Sequence, residues 1–363
     1  MAKRVSVDRW LFIVTMLLVF VGLVMVFSAS AVMARERFGS EYAFLSKQLI
    51  WAIAGLLAMV ATMRVDYRRY KHPALVFSLM GVTTLLLISV FFLARSHNTH
   101  RWIHAGGLSF QPSELAKPVL ILFLAYFLES RAKTIDDLRN TLVPAAAPVL
   151  VFLGLIVLQP DLGTAIACAA IAACIFYVAG LRMRYFGYAF AASLLPLYFL
   201  IFHVAFRRDR ILAFLNPYAD RQRAGFHIIQ SLIAVGTGGV TGLGLMEGKQ
   251  KLFYLPEPHT DFIFAVTAEE LGLVGAMFVV TLFAIFLWRG MRVSWRTNDL
   301  FGRYLAVGIT SMVVLQAFIN MSVVLGMVPT KGIPLPLVSY GGSSLFVTLA
   351  CIGVLLNITK QAE

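Results

Sequence analysis

Asp261 stands at the mouth of an apolar run in the stretch YLPEPHTDFIFAVTAEELG (residues 254–272), with Glu257 and His259 just ahead of it. A carboxylate there is pulled two ways. A helix N-terminus favours its ionised form, while desolvation at a lipid boundary disfavours it. An ionised, partly desolvated carboxylate is what a general base acting on a hydroxyl requires. Thr260 or His259 can cap the following helix, which would set Asp261 in its first turn. Glu269 and Glu270 lie eight and nine residues on, about 80° and 180° round a helix from Asp261. They cannot both share its face, and they are expected to pair with arginine or backbone groups.

Four further clusters carry more polarity than a membrane boundary needs. In RWIHAGGLSFQPSELAKP (101–118), Pro112 and Ser113 suit a first helical turn. Glu114 and Lys117 then fall on one face, about 5–6 Å apart at Cβ. They form either a self-neutralising ion pair or a polar cavity wall. In LQPDLGTA (158–165), Pro160 stops one helix and Asp161 can cap the next. RRDRILAFLNPYADRQR (207–223) crowds Arg207, Arg208 and Arg210 around Asp209. Guanidinium groups bind phosphates bidentately, whether those belong to a substrate or to lipid head groups. VPTKGIPLPLVSYGGSS (328–344) is stiffened by three prolines. It ends in glycines and serines that suit either a polar ligand or close helix packing. No metal-ligand spacing is present, and the three cysteines, all in apolar blocks, are expected to form neither a disulfide nor a metal site.

These residues need scaffolding, and composition says which kind. Of 363 residues, 60% are hydrophobic and only 13% charged, with the apolar residues in long blocks. That describes an all-α polytopic membrane protein forming a single domain over residues 1–363. Ten spans are expected, near 10–33, 48–63, 74–94, 115–129, 142–158, 162–180, 185–206, 261–288, 304–326 and 343–358. Pro118 and Pro148 interrupt the short fourth and fifth, which suits segments that line a cavity or pack inside the bundle. The first block is too long for a signal peptide and reads as a retained helix. The net charge of +13 sits between apolar blocks, so it speaks for topology and anionic lipid rather than nucleic acid. Basic residues in the short loops place both termini in the cytoplasm. The large loop 207–260 and Asp261 then face outward. Within that loop, 225–236 is amphipathic, and the glycine-rich 236–244 reads as a flexible turn. No internal repeat is evident, which weakens a transporter reading.

Together RWI with FQPSELAK, QPDLGT, FLNP, LPEPHTDFIFAVTAEELG and PTKGIPLPLVSYGGSS resemble, in order and across nearly the whole chain, the SEDS family of cell-wall polymerases. PTKG and KQKLFYLPEPHTDFIF look like the division (FtsW-like) form, with the elongation (RodA-like) form second. Pro258 and HAGG at 104–107 depart from the usual patterns. The resemblance implies a ten-helix SEDS fold and a peptidoglycan glycosyltransferase acting at the outer face of the bacterial inner membrane. The growing strand on undecaprenyl pyrophosphate would be the donor and lipid II the acceptor, with inversion at the anomeric carbon. By the same resemblance Asp261 is the catalytic base. Glu114 and Lys117 line the cavity, and Trp102 stacks on a sugar or braces its loop. Asp161, Arg210, Glu257, His259, Lys331, Ser339 and Ser343 are further substrate-binding candidates. No cofactor is evident, with a divalent cation left open. A class B penicillin-binding protein (a transpeptidase) and other divisome proteins are the implied partners. A lipid II flippase is the rival reading.

Overall fold

The computed structural model describes residues 7–92, 101–105, 108–220, 225–252 and 254–361. Gly106 and Gly107 of the HAGG departure, and residues 221–223 of the arginine-rich stretch, lie outside the described residues. Twelve α-helices follow one another: α1 (Arg9–Phe38), α2 (Ala43–Arg64), α3 (Pro73–Ser89), α4 (Pro112–Ser130), α5 (Val143–Leu158), α6 (Leu162–Val178), α7 (Met183–Phe202), α8 (Ala205–Leu215), α9 (Phe226–Thr237), α10 (Ile263–Arg296), α11 (Leu300–Val324) and α12 (Gly342–Thr359). A small antiparallel hairpin, β1 (Ile103–Ala105) with β2 (Leu108–Phe110), precedes α4.

Each of the ten expected spans coincides with a helix, and the two additional helices, α8 and α9, occupy the expected outer loop. Among the described residues, eight helices are long and apolar enough to cross a membrane. The two others are α4, which carries Glu114 and Lys117 in its first two turns, and α6, which has 17 residues. Both pack against α11, a largely buried helix, which also contacts α10 and α12. Polar groups in α4 are therefore screened from lipid by protein. The fifth segment does not follow α4 inward: α5 lies at the perimeter with Leu150, Val151 and Leu158 exposed. Asp8 caps α1 and binds Arg289 of α10 at 2.5 Å, tying the two helices at their common end.

The glycine-rich stretch is not the flexible turn its composition suggests. Helix α10 breaks at Gly272, which adopts φ +65°, ψ −163°, a region open essentially to glycine alone. In an unbroken helix Leu273 and Val274 would donate to the carbonyls of Glu269 and Glu270. Instead they donate to Gly239 O (3.0 Å) and Val240 O (3.1 Å). The abandoned carbonyls accept from Leu243 N and Gly244 N, both at 3.0 Å. Residues 239–244 are thus spliced into the helix break. The contact leaves no room for side chains, since a Cβ on Gly242 would sit 2.1 Å from Glu270 O.

Two buried carboxylates lock this splice to the loop beyond it. Glu270 binds Lys251 Nζ at 2.6 Å and accepts from Ser28 Oγ of α1 and from Met246 N. Glu269 accepts from the backbone N–H groups of Lys249 and Gln250. A buried pair satisfied this completely fixes geometry more than it adds stability, but removing one partner is costly.

Gly272→Ala should destabilise the protein by about 1–3 kcal/mol or more, because alanine is strained there and a Cβ would lie 2.3 Å from Gly242 N. Gly154→Ala in α5, where a Cβ meets nothing within 4 Å, should be neutral or slightly stabilising. Thermal unfolding of both variants in detergent checks the contrast.

Candidate active site

Asp261 does not lie in the first turn of its helix. Helix α10 begins at Ile263, and its N-cap is Phe262. The reason lies in three successive backbone carbonyls that bond sideways. His259 O accepts from Tyr340 N (2.9 Å). Thr260 O accepts from Ser339 Oγ (2.5 Å), and Asp261 O from Asn320 Nδ2 (2.8 Å). The chain is thereby held in turns against the 328–341 loop, closed by Thr260 N and Phe262 N donating to Glu257 O, and becomes helical only at Ile263.

That loop is itself pinned at several points. Asn320 Nδ2 also donates to Ile333 O (2.7 Å), and Gln316 Nε2 to Pro334 O (3.0 Å). Gln48 of α2 donates to Ser339 O and accepts from Gly341 N. Gln316 Oε1 in turn accepts from Lys117 Nζ at 2.7 Å, and Lys117 pairs with Glu114 at 2.8 Å. Glu114 and Lys117 are each only 4% exposed. They stand behind the loop, with Lys117 Nζ bonded to both Glu114 Oε2 and Gln316 Oε1. Ser339 is likewise buried, its hydroxyl bonded to Thr260 O and Leu335 N. Ser343 is buried in the first turn of α12.

The Asp261 side chain is partly exposed and lies over the backbone of Gly332, where a Cβ would come within 2.6 Å of Oδ2. Burial pushes its pKa up to about 7, and Glu257 adds to the rise. Arg210 pulls it down, Asp161 raises it and Arg101 lowers it again. Four cations share this neighbourhood. Arg210 lies over the Phe206 ring at 4.2 Å and donates to Thr330 O. Arg101 donates to the carbonyls of Gln159 and Pro160. Burial lowers the pKa of Arg210 against the opposing charge of Asp261, and it lowers Arg207 with help from Arg101. Burial brings Lys331 down to about 8, with Asp161 opposing and Arg210 and Arg207 reinforcing.

Asp161 caps α6 by accepting from Thr164 N (3.2 Å) and Thr164 Oγ1 (2.9 Å), and it also accepts from Gln111 Nε2. The capping role expected of it is real, and its charge still reaches Asp261 and Lys331. Glu257 is exposed, with a positive φ of 49°. His259 is buried between Phe44 and Tyr340, and its Nδ1 has no hydrogen-bond partner among the described residues. Its pKa is lowered by burial, raised by Glu257 and lowered by Arg37, so it shares only Glu257 with the Asp261 group. Trp102 is half-buried just before β1. No group of three or more metal-ligating side chains exists among the described residues.

Sequence reasoning missed Arg101, Gln316 and Asn320. The last two carried a usable signal: two amides four apart within an apolar span must share one face and find partners in protein. Arg101 had none beyond its place in the RWI motif.

Comparisons with known proteins agree across the whole chain. A family model described as a cell cycle protein, covering FtsW, RodA and SpoVE, matches residues 8–363. The probable peptidoglycan glycosyltransferase FtsW of Geobacter metallireducens is 44% identical over 343 residues, 94% of this chain and 92% of the relative. Stage V sporulation protein E of Bacillus subtilis is 42% identical over 362 residues, 99% of each. Among solved structures, a chain described under "Structural coordination of polymerization and crosslinking by a peptidoglycan synthase complex" superposes with a TM-score of 0.81 at 32% identity, covering 98% of both chains. The rod shape determining protein RodA of Thermus thermophilus gives 0.72 at 29% identity, again over 98% of both.

Gly332→Ala should displace the Asp261 carboxylate while leaving the fold intact, since the position is an exposed loop residue. The expected result is a fall of about tenfold or more in the reaction Asp261 supports, with an unchanged melting temperature in detergent.

Proposed function

The chain belongs to the FtsW, RodA and SpoVE family, and from that premise we infer that it is a peptidoglycan glycosyltransferase that polymerises lipid II during septal cell-wall synthesis. It is a multi-pass membrane protein with the SEDS fold. The observation that carries the mechanism is a partly exposed carboxylate, Asp261, that feels Arg210 and Arg101, with Lys331 and Arg207 coupled to those two arginines.

In this reading Asp261 takes the proton from the 4-hydroxyl of the acceptor N-acetylglucosamine as that oxygen bonds to the donor's anomeric carbon. The bond from that carbon to the donor's pyrophosphate breaks on the opposite face, and the leaving group keeps the electron pair. Configuration inverts from α to β. One base suffices for inversion when the leaving group needs no protonating acid. Fixed cations substitute for such an acid by stabilising the departing charge. Arg101, Arg207, Arg210 and Lys331 are the groups for that task, and Glu257 and Trp102 stand at the rim where a sugar arrives. A divalent cation would enter on the pyrophosphate itself.

The site end of the bundle faces outward in this account, and the membrane is the bacterial inner membrane. A crosslinking partner, a class B penicillin-binding protein, fits the similarity to a synthase complex that polymerises and crosslinks, with further divisome proteins around it. The flippase reading is disfavoured by placement. Asp261, Arg101, Asp161, Arg210 and Lys331 all lie in connections at one end of the spanning helices or in the short helix α8, whereas alternating access calls for a site near the midplane.

Purified protein with its transpeptidase partner should convert lipid II to glycan polymer. Asp261→Asn should make none while remaining folded and partner-bound, and full activity in that variant would remove the base from the mechanism. The pH profile supplies a separate check. Protonated Asp261 cannot act as base, so the rate should rise with pH through about 7. Arg210 holds that pKa down, so Arg210→Ala should move the acid limb to higher pH whatever it does to the maximal rate.

A further inference from the structure

Helix α11 carries two buried amides one turn apart, and both are aimed at the backbone of the active-site loops. Asn320 is 1% exposed. Its single Nδ2 group donates to Asp261 O at 2.8 Å and to Ile333 O at 2.7 Å. It therefore bridges the segment carrying the base to the segment carrying Lys331, two residues before Ile333. Gln316 is 4% exposed. Its Nε2 holds Pro334 O at 3.0 Å and its Oε1 accepts from Lys117 at 2.7 Å. Lys117 can only donate, so it dictates which end of the Gln316 amide faces Pro334. Glu114, bound to Lys117 at 2.8 Å, neutralises that ammonium inside the bundle.

We propose that Asn320 and Gln316 are positioning residues for the transfer reaction, and that the Glu114–Lys117 pair acts through Gln316 on the 330–335 loop rather than on substrate. Inverting displacement needs the base on one face of the sugar carbon and the leaving-group cations on the other. Their separation must hold to a fraction of an ångström, because a misplacement of about 1 Å can cost a hundredfold in rate. Asn320 fixes that separation directly, through the two backbone carbonyls it bridges. Gln316 fixes the next peptide of the cation-bearing loop, and Lys117 fixes Gln316. The cost of the arrangement is visible, since Asn320 Oδ1 is buried without a hydrogen-bond partner among the described residues. The amide is held for its donors, and its acceptor is left idle.

The inference rests on the glycosyltransferase reading, so wild type and Asp261→Asn are run first in the same lipid II polymerisation assay, with partner present. Polymer from wild type and none from Asp261→Asn establishes that reading independently. Asn320→Leu keeps roughly the size of the side chain and removes the donors without adding a titratable group beside Asp261. It should lower kcat by about a hundredfold with KM within about twofold, and displace the acid limb of the pH profile by about half a unit or more as the carboxylate shifts among its charged neighbours. A loss of activity that only follows loss of folded protein, with an unmoved acid limb, would overturn the proposal. For the relay, Glu114→Gln/Lys117→Met is introduced together, leaving no unpaired buried charge, into wild type and into Gln316→Leu. If Lys117 acts through Gln316, the combined variant is no slower than the slower of its parents. If the pair meets substrate directly, the two losses multiply and the relay is wrong. Asn320→Leu decides the positioning role should the combined variant fail to fold.

Discussion

In the proposed mechanism Asp261 must lose its proton near neutral pH while standing at the edge of a low-dielectric wall, and the interactions around it bear directly on that demand. Desolvation alone would keep the carboxyl protonated. Cations alone would hold it ionised but make it a feeble base. The protein sets burial and Glu257 against Arg210 and Arg101 and arrives at a pKa of about 7. That balance depends on distances, so the backbone bearing Asp261 cannot be free. Three consecutive carbonyls, at His259, Thr260 and Asp261, are each tied to another element. The consequence is the start of α10, which is delayed past Asp261.

The same rigidity continues away from the site. The loop leading to Asp261 is anchored where α10 is broken at Gly272, by exchanged backbone hydrogen bonds and by Glu269 and Glu270. Lys251 and Ser28 complete that anchor from the loop and from α1. Charges that looked anomalous in an apolar helix thus hold a non-helical excursion in place. Irregular backbone at membrane depth is tolerated where protein, not lipid, surrounds it. By contrast α7 has no buried residue and packs chiefly on α8, so rigidity is concentrated on the face where base and cations meet.

Much of this was legible in the sequence, for identifiable reasons. Long apolar blocks locate spanning helices because the bilayer sets their length, and all ten expected blocks coincide with helices. Asp261, Arg210, Asp161 and Lys331, all named as candidates through the family resemblance, fall into one electrostatic group. Other features depended on contacts distant in the chain. The stretch 236–244 reads as flexible because glycine frees the backbone, yet glycine also permits the closest approach, and only the partner at Gly272 decides between them. Glu114 and Lys117 were correctly paired by their spacing, but no local signal reveals that Gln316, 199 positions beyond Lys117, covers them. The cap of α10 was misplaced because helix propensity knows nothing of Ser339 and Asn320.

The account turns on the ionisation of one side chain, which can be observed without turnover. Difference infrared spectroscopy of the protonated carboxyl band, comparing wild type with Asp261→Asn across pH in membranes, isolates that group. A band absent from the variant and titrating with a midpoint near 7 is the predicted result. A midpoint near the ordinary aspartate value of about 4 would contradict it, since Asp261 would then be a solvated surface carboxylate rather than a base held in tension between burial and charge.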